Sequence, residues 1–216
     1  MILQSFQNRF KTLKSNNNHI QCVLDIGAYR GDFTDTVNSV WPTCIVYQIE
    51  ADSRQKLYLK DNAIIALLGD EEKSNVNFYT LDQDKITTGS SIFLENTVHY
   101  NDKTTVVLPT PMTTLDKLFE IYKFAGDWQK YGLLKIDTQG SELLILDGAK
   151  KFLEHKKPRY ILLECSLIEY NLNAPKISEV MRYMNDINYN MKDIFDLSYD
   201  GNGVLMQTDI LFERKS

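Results

Sequence analysis

No stretch of the chain reaches the ~18 consecutive apolar residues that a membrane-spanning helix needs. The N-terminal MILQSFQNRFKTLKS likewise lacks the unbroken apolar core of a secretory leader. A cytoplasmic protein without membrane contact is the expectation. Cysteine is scarce: Cys22, Cys44 and Cys165 stand singly in apolar runs, with no C-x-x-C pair and no partnering histidines. That spacing argues against a disulfide framework or a zinc site and for reduced core thiols. An excess of positive charge is absent too. With 24 basic against 29 acidic residues and a net charge of −5, no overall field draws the chain to nucleic acid or anionic lipid. Internal repeats and low-complexity tracts are also missing. What remains is 43% hydrophobic and 25% charged residues over 216 positions, a globular composition long enough for one domain with a full core.

Ile2, Phe6, Phe10 and Leu13 recur at helical spacing, so residues 2–15, within an N-terminal segment 1–18, predict an amphipathic helix that packs on the body or caps a pocket. Residues 19–216 then form the main domain. A strand at 21–26, a glycine turn, a helix to Val40 stopped by Trp41-Pro42, a strand at 44–50, a helix at 53–61 and a strand at 63–68 give β-α-β-α-β. Residues 71–112 loosen into two extended pieces, NVNFYTL and TTVVLPT, around a polar KITTGSS stretch, and read as an inserted hairpin or lid. A helix at 114–124, a strand at 132–137, a helix at 141–155, a strand at 160–164 and a helix at 175–187 follow. Strands at 191–197 and 204–212, joined through YDGNG, predict an antiparallel hairpin on the sheet edge. This order defines an α/β fold with a mostly parallel sheet wrapped by helices.

The chemistry concentrates at strand ends. In CVLDIGAYRGDFTD an apolar strand runs into Asp25, Gly27, Ala28 and Gly31 as a helix begins, a turn that lets a ligand approach the main chain closely. Ala28-Tyr29 departs from G-x-G-x-x-G, which favours a ligand without a pyrophosphate. Asp25 would repel a diphosphate but could bond an ammonium group, such as that of a methionine moiety, directly or through water. Glu50 ends the second strand, where this fold class uses an acidic residue for ribose hydroxyls. Asp70 follows the third strand and could meet an adenine or ribose edge, although loop carboxylates are common there. In Lys135-Ile136-Asp137-Thr138-Gln139-Gly140-Ser141-Glu142, Asp137 projects from a strand end toward the ligand side, with Lys135 on the same face. Asp137 or Glu164, the latter closing the next strand, could take a proton from an acceptor hydroxyl. Glu142 either joins them or complements a helix dipole. A metal held by Asp137, Glu142 and Glu164 lacks a spacing signature, so none is expected. His99, in FLENTVHYND, is a reserve base from the lid. His155 suits a helix C-terminus, and Ser90 and Ser91 could touch cofactor or acceptor.

Taken together, DIGAYRG, Glu50, TTLDKL at 113–118, LLKIDTQGSELLILDGAKKFL and PRYILLE resemble the FkbM family of S-adenosylmethionine-dependent methyltransferases over residues 20–165. The resemblance implies a Rossmann-like, mostly parallel seven-stranded sheet and S-adenosylmethionine as cofactor. It further implies O-methylation of a small-molecule acceptor, often a sugar or secondary metabolite. Three positions depart from the family pattern: Tyr29 stands where asparagine is frequent, Ala51-Asp52 follows Glu50 in place of a proline, and Gln139 replaces an acidic residue. Two rival readings are a nicotinamide-dependent oxidoreductase or epimerase, which the missing G-x-G-x-x-G opposes, and a non-catalytic protein that keeps the cofactor pocket.

Overall fold

The computed structural model describes residues 2–16, 18–82, 89–97, 100–101 and 103–215, and for residues 2–5 the backbone alone. The side chain of Ile2, the imidazole of His99 and residues 85–88 of KITTGSS therefore lie outside the described residues. The first half runs α1 (Ile2–Ser15), β1 (Cys22–Ile26), α2 (Asp32–Val40), β2 (Ile45–Glu50), a 3-10 turn (Ser53–Tyr58), β3 (Ile64–Ile65), β4 (Leu67–Leu68), β5 (Lys73–Leu81) and β6 (Thr105–Thr113). The second runs α3 (Leu115–Tyr122), α4 (Trp128–Tyr131), β7 (Gly132–Ile136), α5 (Glu142–Asp147), α6 (Lys150–Lys156), β8 (Tyr160–Ser166), α7 (Ile177–Asp186), β9 (Tyr189–Tyr199) and β10 (Leu205–Arg214).

Seven strands form one sheet in the order β3-β2-β1-β7-β8-β10-β9. The first five are parallel, and β10 runs antiparallel between β8 and β9. The expected α/β sheet with a C-terminal antiparallel edge hairpin is what forms. CVLDI and GLLKI are buried at every position because helices cover both faces. Alternation sorts β1 between two cores: Cys22, Leu24 and Ile26 face α3, α5, α6 and α7, whereas Val23 faces α1 and α2. On the second face Phe6 and Phe10 of α1 meet Phe33, Trp41 and Phe195 edge-on, which clamps the first helix against α2 and β9.

Three elements differ from their sequence expectations, each for a tertiary reason. The strand expected at 63–68 splits, because Ile64–Ile65 pairs with β2 while Leu67–Leu68 crosses to pair with β6 in a separate sheet ordered β4-β6-β5. The helix expected at 141–155 breaks at Gly148, where a Cβ would come within 2.0 Å of the Gly69 carbonyl oxygen. Residues 53–61 shorten to a 3-10 turn capped by Asp52, whose side chain accepts from the Arg54 N–H. Arg54 in turn donates to the carbonyl of Leu81 at 3.1 Å, tying this turn to the β5–β6 hairpin.

Candidate active site

β2 lies on one side of β1 and β7 on the other, so the chain reverses direction of travel across the sheet at β1. Open α/β sheets bind ligands beyond the carboxyl ends of strands at such a point. A cavity of about 970 Å³ opens there, lined by Gly27, Ala28 and Tyr29 after β1, Glu50 at the end of β2, Asp137 after β7 and Glu164 of β8, among others.

Gly27 sits at φ +75°, and a Cβ on it would come within 1.8 Å of the Asp137 carbonyl oxygen. Close approach of the β1 and β7 ends therefore requires glycine. The turn's amides are nevertheless not free. Gly27 and Ala28 both donate to the Ile49 carbonyl, at 3.0 and 3.1 Å, and Gly31 donates to Ala28 at 2.8 Å. The turn bends back onto β2, and these three donors close that bend in place of facing a ligand. Tyr29 adopts φ +48°, a left-handed conformation that asparagine tolerates better than tyrosine. Its N–H donates to Glu50 Oε2 at 2.8 Å, and the Asp52 N–H donates to Oε1 at 2.8 Å. Burial pushes the Glu50 carboxyl up against the opposing pull of these two amides.

Gly31 caps α2 and does not line the cavity. Asp25 is fully buried beneath the cavity floor, where it accepts from Thr34 Oγ1 at 2.9 Å and pairs with Lys135 at 3.2 Å. Asp70 is exposed and lies away from the cavity, so Ala66, Leu67 and Leu68 form the wall at the end of the third strand segment. Ser90 and Ser91 do line it. Ser91 donates to the Gln139 carbonyl at 2.9 Å, which couples the inserted hairpin to the turn after β7.

Lys135 is 5% exposed and lies on β7, in register with Asp25 of β1. Its Nζ donates to the Gly27 carbonyl at 2.8 Å and lies 3.4 Å from Asp137 Oδ2. Burial pulls this ammonium down, but Asp137 and Asp25 outweigh it and hold it above the usual range. Glu142 Oε1 accepts from the amides of Thr138 and Gly140 at 2.9 and 3.1 Å, fixing the turn that carries Asp137. Burial raises its carboxyl to about 7 despite those bonds. Glu164 is pushed up first by burial and then by Asp137, Asp209 and Glu142. Gln139 Nε2 donates to Glu164 Oε2 at 2.6 Å and lies 3.4 Å from Asp137 Oδ1. The amide at 139 thus bridges two carboxylates where an acidic residue would add a further negative charge.

Sequence reading missed several residues of the wall, among them Gln55, Asp196, Gln207 and Asp209. Asp196 and Asp209 sit on the terminal hairpin, and only its pairing with β8 brings them to the site. Among the described residues, no three His, Cys, Asp or Glu side chains converge as metal ligands would. No helix among them is long and apolar enough to cross a membrane.

The parallel sheet with this strand order, closed by an antiparallel hairpin and carrying its cavity at the β1 end, defines the class as a Rossmann-like methyltransferase fold. A sequence model of the FkbM methyltransferase domain matches residues 25–191, and the chain belongs to that family. The crystal structure of a methyltransferase FkbM from Methylobacillus flagellatus KT superposes with a TM-score of 0.50 at 15% identity, covering 89% of this chain and 43% of that one. The chain therefore spans less than half the length of that relative. A precorrin-6y C5,15-methyltransferase from Geobacter metallireducens GS-15 gives 0.47 at 10% identity over 92% of this chain and 82% of that one. Magnesium protoporphyrin IX methyltransferase from Synechocystis PCC 6803 gives 0.46 at 9% identity over 99% and 79%. No curated protein sequence matches the chain.

Proposed function

We propose that this chain is an S-adenosylmethionine-dependent O-methyltransferase acting on a hydroxyl of a small molecule, a sugar or secondary metabolite. The observation that carries the reading is the Glu50 carboxylate at the cavity wall, fixed by two backbone amides, so that its remaining lone pairs can accept from ribose hydroxyls. A second feature fits the same group. Gln55 is 1% exposed, and among the described residues neither its side-chain nitrogen nor its oxygen has a hydrogen-bond partner. It shares the cavity wall with Ala66, Leu67, Leu68 and Phe78. An amide that offers a donor beside an acceptor, next to an apolar slot, suits an adenine edge. Gly27 and Ala28 give the methionine portion a surface without side-chain bulk.

Bound there, S-adenosylmethionine supplies a methyl group on a sulfonium, an electrophile that needs no further activation. The protein's task is to orient the acceptor and accept its proton. Glu164 Oε2 is occupied by Gln139, which leaves Oε1 to take the hydroxyl proton. Burial makes Glu164 a stronger base than an ordinary carboxylate once it is ionised. Asp137, paired with Lys135, orients the acceptor beside it. With three free cysteines and a net charge of −5, we assign the enzyme to the cytoplasm, with a small molecule and not nucleic acid as its partner.

Thermal unfolding with S-adenosylhomocysteine, with NAD and with neither tests the reading. A ligand at a hundredfold its Kd adds about 2.7 kcal/mol, which raises the midpoint by roughly 5–10 °C. Stabilisation by S-adenosylhomocysteine alone is expected. Stabilisation by NAD alone, or by neither, refutes the proposal.

A further inference from the structure

The terminal hairpin brings together charges that no local sequence pattern announces. Asp209 of β10 pairs in register with Glu164 of β8 on one side and with Asp196 of β9 on the other. Asp137 stands one residue beyond the Ile136–Leu163 pair, level with Glu164. Four carboxylates therefore form a row across β7, β8, β10 and β9, and all four line the cavity. At the usual strand spacing the row is about 14 Å long. Its cationic neighbour, Lys135, is shared between Asp25 and Asp137. Among the described residues no lysine or arginine forms an ion pair with Glu164, Asp196 or Asp209. Like charges directly opposite one another on adjacent strands are destabilising, so the row serves the fold poorly.

Two further observations point to a ligand. Gln207 is 8% exposed, lines the same cavity two residues before Asp209, and its Nε2 has no hydrogen-bond partner among the described residues. A buried amide donor of this kind calls for an oxygen acceptor. Phe6 and Phe33 form an aromatic wall of the same cavity, their rings edge-on at 5.8 Å. Lys135 Nζ already sits 5.5 Å from the Phe33 ring, within the range at which an ammonium is attracted to an aromatic face.

Building on the methyltransferase reading, we propose that the acceptor is a hydroxylated amine whose protonated nitrogen is held by the Asp137–Glu164–Asp209–Asp196 row against Phe6 and Phe33. Gln207 donates to an oxygen of the same molecule. The ammonium anchors the acceptor, and the methylated atom is a neighbouring hydroxyl. Burial and then Asp137 push the carboxyls of Glu164 and Asp209 upward, and a bound cation relieves that repulsion. A neutral polyol would satisfy Gln207 but leave the row uncompensated.

The test uses the whole protein saturated with S-adenosylhomocysteine at pH 7, titrated by ligand-observed NMR with three matched pairs: glucosamine and glucose, cyclohexylamine and cyclohexanol, phenethylamine and phenethyl alcohol. Each amine is expected to bind about tenfold or more tightly than its alcohol. The Asp196→Asn/Asp209→Asn double variant is expected to abolish that preference while its affinity for S-adenosylhomocysteine is retained, which also reports that it is folded. Equal binding within all three pairs, no binding by any amine, or a preference unchanged in the double variant overturns the inference. Failure of S-adenosylhomocysteine itself to bind instead overturns the underlying methyltransferase reading.

Discussion

Replacing Gly27 by alanine should damage both the fold and the site, through its backbone conformation and through a contact. The φ of +75° is left-handed, which costs an L-residue about 1–2 kcal/mol. The added Cβ would come within 1.8 Å of the Asp137 carbonyl oxygen, a backbone atom that no side-chain rotation can move aside. Forcing β1 and β7 apart there adds about 1–3 kcal/mol. A total of about 3 kcal/mol lowers the unfolding midpoint by roughly 6–12 °C in a chain of this size. Since the displaced carbonyl belongs to Asp137, turnover should fall by more than the population of folded protein does. Gly201→Ala provides the control, because no described residue lies within 4 Å of a Cβ at that position, and its midpoint should move by less than about 2 °C. Calorimetry and methyl-transfer rates on both variants decide the matter. A Gly27→Ala protein as stable as Gly201→Ala would show that the two strand ends leave room for a Cβ between them.

Glu50→Gln should weaken S-adenosylhomocysteine about 10–100-fold by titration calorimetry. One carboxylate oxygen becomes an NH₂ facing either the Tyr29 or the Asp52 amide, and unchanged affinity would remove Glu50 from the cofactor site. Glu164→Gln should cut kcat by about 10²–10⁴ with cofactor affinity kept. In the unmodified enzyme kcat/KM should rise with pH through a value above the ordinary carboxylate range, because the raised carboxyl must lose its proton to act; a profile flat from pH 5 to 8 would exclude it as the base. Glu142, with its folded value raised from 4.5 to about 7, makes a contribution to stability that is complete below about pH 4.5 and lost as pH rises through 7. Urea titrations of the wild type and Glu142→Gln should therefore diverge across that window by about 3 kcal/mol, with the variant the flatter of the two. Parallel curves would show that the Glu142 carboxyl is not perturbed.

The parts of the fold legible in the sequence are those carried by neighbouring residues. CVLDI and GLLKI announce buried parallel strands through unbroken apolar runs, and Gly27 marks the tight turn because few other residues accept its backbone. Glu50 could be read as a cavity residue because it ends a strand whose place in the order was already plain. Asp25 and Asp70 show the limit of the same reasoning: both are carboxylates at promising strand ends, yet one is buried under the floor beside Lys135 and the other faces solvent. Which way a side chain points after a strand depends on what packs against it, and that is not a local property. Gln55 carries no local signal: it is a polar residue on a short helical turn, and only the folded chain buries it in the cavity wall.

The sequence by itself determined the order of elements, the glycine turn and the family, because periodicity, turn chemistry and strand ends are written in consecutive residues. Only the tertiary structure decided that Asp196 and Asp209, near the end of the chain, stand level with Asp137 and Glu164. Strand register sets that alignment, and register is fixed by hydrogen bonds and packing between segments far apart in the chain.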